Sequence, residues 1–291
     1  MDKSFRSLTE LRQILLDRGL TLDGGAVVDV VAAEKHLYNV NYFRFSGNAR
    51  QFQPDRDRGN ESFLSGTRYS EIQEIIRRDE QLRLLLFEGL SVAELVVRAR
   101  FAHEAASRFG EGAFYLEEGH YLAITPDVLR HIDKIRSELM RPNIASVARY
   151  RVGDDLSKVP IWVAIEHVSF GALAKMVGYF RDSSAAKIVS EKLSVPWGGF
   201  HNTIHSFAVL RNICAHHGQI WNRRVGITAP VQWKLKRFEP RYDNGSVYAT
   251  VIMLKQYVRM IDSRSDWPGR VDEFFRVFPV FAQGVYRPNP R

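Results

Sequence analysis

Between Tyr69 and Phe109 the apolar residues recur every three or four positions: Ile72, Ile75, Ile76, Leu82, Leu86, Leu90, Val97 and Phe101. That period puts them on one stripe of an α-helix. It predicts helix over the whole stretch, with Gly89 marking a break or kink. The rest of the chain reads the same way, and strand signals are few. Helices are expected over about 4–19, stopped by Gly19, and from Ala26 to Tyr38. Thr125-Pro126-Asp127 starts another that runs to about 140, with Thr125 as cap and proline in the first helical position. Further helices are expected from Pro160 to Phe180, Ser184 to Leu193, Gly199 to His217, Ser246 to Asp262 and Val271 to Phe281. Gln51 to Ser65 reads as a long loop, Gly24-Gly25 as a turn, and Arg151 to Pro160 as a candidate linker. The expected class is all-α, with residues 1–240 as a helical domain and 241–291 as a helical extension packed on it.

Composition narrows the classes. Hydrophobic residues make up 45% and charged residues 25%, a globular balance. No run approaches the length of a membrane-spanning helix. Met1 to Arg6 leads into charged sequence with no apolar leader, so no secretory signal is expected. The single cysteine, Cys214, excludes an internal disulfide and a Cys-rich zinc finger. Together these point to a reducing, cytoplasmic setting. There is no phosphate-binding loop, dinucleotide fingerprint or nucleophile elbow.

Charge is unevenly spread. The 41 basic and 33 acidic residues leave a net charge of +8. From Arg211 to Arg241 there are seven cations (Arg211, Arg223, Arg224, Lys234, Lys236, Arg237, Arg241) and one acid, Glu239, so this segment carries +6. It is either a solvated basic surface or a face for phosphates, where each neutralised phosphate releases a counterion. Trp221, Trp233, Phe238 and Tyr242 lie among the cations; such rings stack on unpaired bases or belong to the core.

The segment from His201 to His217 carries the densest chemistry. Projected at about 100° per residue from His201, Asn212 falls near 20°, His205 near 40° and His216 near 60°, with Ala208 and Ala215 beside them. Phe207, Leu210, Ile213 and Cys214 lie opposite, and Arg211 on the shoulder. A stripe of three imidazoles and an amide is either the solvent face of the helix or a site. As a site it fits two chemistries. His201 and His205, four residues apart, have the spacing of zinc ligands, with Glu166 available for recruitment. Alternatively His216 serves as general acid or base, Arg211 binds a scissile phosphate and Asn212 orients a group, which is metal-independent phosphodiester cleavage.

The string Arg211-Asn212-Ile213-Cys214-Ala215-His216-His217, followed by Trp221-Asn222-Arg223, resembles the signature of the Abi family of bacterial abortive-infection proteins of the AbiD/AbiF type, and contains the R-x4-H motif of HEPN-domain ribonucleases. Three other strings resemble that family: Tyr38 to Gly47, Phe63-Leu64-Ser65-Gly66-Thr67, and Pro160 to Glu166 with Ser169-Phe170-Gly171. The likeness spans roughly residues 8–225. Gln219-Ile220 departs from it where Arg-Leu is common. The resemblance implies a HEPN-like helical bundle with additional N- and C-terminal helices. It also implies RNA cleavage by 2′-hydroxyl attack at an Arg211/His216/Asn212 site, with no metal or other cofactor, and sites assembled across a homodimer. His201, His205, His217 and Glu166 would support the site, and Arg223, Arg224, Lys234, Lys236 and Arg237 would bind RNA. The expected function is an endoribonuclease effector of phage defence, restrained by an antitoxin-type partner. A non-cleaving RNA-binding module and a metal-dependent hydrolase are the alternatives.

Overall fold

Ser7 caps the first helix. In the computed structural model, which describes residues 4–23, 27–54 and 58–289, its hydroxyl accepts from Glu10 N while the Glu10 carboxylate accepts from Ser7 N at 2.6 Å. This reciprocal cap opens α1 (Leu8–Asp17). Gly19, at φ 89°, closes it: Gly19 N donates to Leu16 O and Leu20 N to Leu15 O. The expected Gly24-Gly25 turn and the Ala26 helix start lie outside the described residues. Next come α2 (Val27–Val40) and α3 (Tyr42–Ala49), which Asn41 caps through its side chain to Phe43 N at 2.8 Å. Then α4 (Tyr69–Phe109) runs unbroken for 41 residues.

The chain forms two compact units, Met1–Leu82 and Arg83–Arg291. In the first, Leu15, Leu37, Phe45, Phe63, Tyr69 and Ile72 form one core. Phe45 stacks on Tyr69 with ring centroids 4.7 Å apart.

The second unit holds the rest of α4 and ten further helices: α5 (Pro126–Leu139), α6 (Ala145–Ala148), α7 (Ile161–Ala164), α8 (Phe170–Tyr179), α9 (Ser184–Lys192), α10 (Trp197–Ala215), α11 (Trp233–Lys236), α12 (Val247–Ile261), α13 (Trp267–Val277) and α14 (Pro279–Tyr286). Among the described residues extended pairing is limited to isolated bridges, so the fold is all-α. The unit is built around α10, which packs on α8, α9 and α12 and buries Phe200, Ile204, Phe207 and Leu210. Phe207 meets Tyr257 of α12 edge to face at 4.8 Å.

Four expectations are corrected here. Gly89 does not break α4; a Cβ there would overlap the Trp267 indole, so the glycine permits a close approach between helices. The helix expected over Pro160–Phe180 is two, because the Ser169 hydroxyl accepts from Ala172 N at 3.3 Å and starts a new one. The helix expected over Val271–Phe281 divides at Phe278, where Pro279 begins α14. Arg151 to Pro160 is no linker: Val159 and Leu156 are buried, and Val159 O accepts from Tyr115 Oη at 2.8 Å.

His131 of α5 is 1% exposed, and neither ring nitrogen has a hydrogen-bond partner. Burial, helped by Lys175 and Lys134, lowers its pKa from 6.5 to about 4. The unfolded chain therefore takes up a proton near pH 6.5 that the folded chain refuses until about pH 4. Stability should fall by up to about 3 kcal/mol across that window. Urea titrations of the native protein and of His131→Phe, at pH 7 and pH 4, read this; an equal acid loss in both would refute it.

Candidate functional site

The R-x4-H string straddles the end of α10. Arg211 is within the helix. His216 is its C-cap, with φ −96° and its N–H on Asn212 O at 3.0 Å. His217 then takes φ 54°, and Gly218 N reaches back to Ile213 O at 2.7 Å. The chain thus reverses two residues earlier than the expected helix end at His217. His217 is the residue that turns the backbone.

Arg211 is held from one side by α4. Its Nε donates to Glu94 Oε2 at 3.1 Å. The other carboxylate oxygen of Glu94 accepts from Arg98 Nε at 3.1 Å and Nη2 at 2.6 Å. Arg98 Nη1 in turn donates to Val168 O at 2.8 Å and to Ile165 O, the carbonyls left open by the break between α7 and α8. Glu94 and Arg98 are 9% and 8% exposed, so the ladder is internal while Arg211 at its end is half-buried. Arg211 Nη1 donates to Asn212 Oδ1 at 3.3 Å. Asn212, Ala215, His216 and His217 are exposed around it. The result is a guanidinium of fixed orientation near the end of α10 and an exposed imidazole at its C-cap, two groups suited to an anionic substrate that must also exchange a proton. Glu94 and Arg98 escaped the sequence reading. The available signal was a carboxylate on the apolar stripe of α4, four residues after Leu90 and three before Val97.

The polar stripe expected on α10 divides in two. His201 and His205 are half-buried, with ring centroids 5.9 Å apart. His201 lies against Gly178 of α8, where a Cβ would overlap its ring. Burial lowers both imidazole pKa values, and for His205 the charges of His201 and Lys175 add to the effect. His201 belongs to the α8–α10 packing and His205 is half-buried next to it, whereas Asn212 and His216 face solvent. Ala208 is buried in the core and only Ala215 remains of the expected small-residue shoulder. Glu166 stands exposed in the turn after α7, not on a core helix. Among the described residues, no three His, Cys, Asp or Glu side chains gather as a metal set.

The basic segment follows. Arg223 Nη1 donates to Gln219 O at 3.1 Å, and Arg224 pairs with Asp243 at 2.5 Å. Lys234, Lys236 and Arg237 are exposed on and just after α11. Glu239 is drawn inward by Tyr248 Oη at 2.6 Å and Lys255 Nζ at 2.8 Å. The four aromatics of the segment part company. Trp221 stacks on Phe281, and Gly284 gives its indole room; Tyr242 is half-buried, while Trp233 and Phe238 are exposed.

A family model described as Abi-like protein matches residues 35–222, well over half of the chain. The match takes in the four strings singled out above except Arg223, and ends before α11. No curated protein and no solved structure matches the chain. No helix among the described residues is long and apolar enough to cross a membrane.

Proposed function

The chain belongs to the Abi-like protein family, and from that premise we propose that it is a metal-independent endoribonuclease of abortive infection with a HEPN-type site. The observation that carries the reading is the Arg211 guanidinium, oriented by Glu94 near the end of α10, a helix whose exposed C-cap is His216. In the proposed reaction the substrate's 2′-oxygen attacks the adjacent phosphorus, and the 5′-oxygen leaves. The products are a 2′,3′-cyclic phosphate and a 5′-hydroxyl. His216 takes the 2′-hydroxyl proton, and the partner's His216 returns a proton to the leaving oxygen. Arg211 binds the phosphate and stabilises the charge that builds on its oxygens. Asn212 orients the substrate.

The exposed face around Ala215 and His216 is where a second copy would complete the site, because a C2 contact brings the same patch together twice. One experiment reads both claims. The protein is passed over a sizing column with light scattering, and each fraction is incubated with RNA in excess EDTA. The expected result is a dimer peak whose fractions cleave, leaving ends that carry a cyclic phosphate. Cleavage that requires an added divalent metal, or a strictly monomeric active peak, would refute the respective claim.

A further inference from the structure

We propose that the exposed turn carrying α11 is a stacking platform for unpaired RNA bases. Only the identity of the natural ligand rests on the nuclease reading. Trp233 is 75% exposed and Phe238 77% exposed. Rings of that size ordinarily bury most of their surface. Arg237 spans the pair, its guanidinium carbon 5.6 Å from the Trp233 ring centre and 4.4 Å from that of Phe238. No carboxylate pairs with Arg237 among the described residues, so its charge is spent on the rings and on whatever docks there. Lys234 is exposed and likewise has no ion pair among the described residues. Lys236 lies 5.3 Å from the Tyr242 ring centre and donates to Asn244 Oδ1 at 3.3 Å.

Glu239 is turned inward to Tyr248 and Lys255, and Asp243 is paired with Arg224, so neither acid is bonded to Lys234, Lys236 or Arg237. A protein surface docking here would have to cover Lys234, Lys236, Arg237 and Arg241 as well as the rings. A nucleic acid supplies a phosphate for each cation and a flat face for each ring. In a duplex those base faces are already stacked on one another, so the rings select unpaired segments. The platform lies beyond the residues that match the family model. It would add a substrate preference to the reaction at Arg211 and His216.

The test uses the full chain and a labelled 2′-O-methyl RNA, which cannot be cut by 2′-hydroxyl attack, as single strand and as duplex. The native protein should bind the single strand more tightly. Trp233→Ala and Phe238→Ala should each weaken that binding roughly fivefold to a hundredfold, leaving duplex binding unchanged. Trp233→Phe should recover most of the loss, and thermal melts should match the native protein because both rings are exposed. Unchanged single-strand affinity in the double alanine variant would overturn the platform. So would tighter native binding to duplex. So would a variant that dissociates an oligomer while binding RNA normally, since the rings would then belong to a protein contact. Cleavage of ordinary RNA is scored separately. Ring-dependent binding without cleavage keeps the platform and removes the nuclease; cleavage without ring-dependent binding does the reverse.

Discussion

Replacing His216 with alanine should lower RNA cleavage by about a hundredfold to ten-thousandfold, the range in which a positioned acid or base contributes. RNA affinity should stay within a few-fold of native. The separation follows from where the residue sits. His216 is an exposed cap at the end of α10. Among the described residues no side-chain hydrogen bond or ion pair ties its ring to the fold, so its removal should not loosen the structure. Arg211→Ala should lose cleavage to a similar degree and lose affinity as well, because the guanidinium both grips the phosphate and stabilises its charge. Arg211→Lys should recover little. The site orients Arg211 through Nε to Glu94 and Nη1 to Asn212, a forked geometry that an ammonium cannot copy. Single-turnover cleavage and filter binding on the same preparations would measure this. Native-rate cleavage by His216→Ala would remove the residue from the mechanism.

The second large effect is expected at Glu94. This one carboxylate accepts from two guanidiniums, Arg98 and Arg211. Glu94→Ala leaves Arg98 as a buried cation without its partner, a change that costs about 3–5 kcal/mol where it has been measured in interiors. Arg98 also ties α4 to the carbonyls of Ile165 and Val168, so the loss should spread to the start of α8. Glu94→Gln keeps the shape and one acceptor oxygen. It should retain more of the fold while still loosening Arg211, so that cleavage falls further than stability does. Denaturant midpoints and cleavage rates for the two variants test the argument together. An alanine variant that melts with the native protein would show that packing, not the shared carboxylate, holds the ladder.

Local signals carried much of the fold. The stripe from Ile72 to Phe101 was sufficient for α4, and Thr125 with Pro126 was sufficient for the start of α5, because periodicity and caps act within a few residues. Readings failed where the deciding partner is remote in sequence. Gly89 looks like a helix breaker until Trp267 is known to lie on it. The wheel drawn for α10 put His201, His205, Asn212 and His216 on one stripe. A projection does not show that α8 lies on His201, nor that the helix stops at Ala215. The catalytic candidates were legible because their chemistry is compact, Arg211 through His216. What orients them was not, since Glu94 is 117 residues from Arg211. The likeness to a family supplied the RNA reading; residue patterns alone admit phosphodiester cleavage, metal binding and a plain solvent face.

The seat of Trp221 has a consequence for inheritance. The stretch that matches the family model ends at Asn222. Yet Asn222 N bonds Gly284 O at 2.9 Å, Asn222 Oδ1 accepts from Asn289 N at 2.7 Å, and Trp221 stacks on Phe281. Phe207, in the middle of α10, needs Tyr257 in the same way. The stretch that matches the family model and the unit that packs together therefore have different edges. A fragment cut after Asn222 would keep Arg211 through His217 and lose the surface that Trp221 and Phe207 pack against.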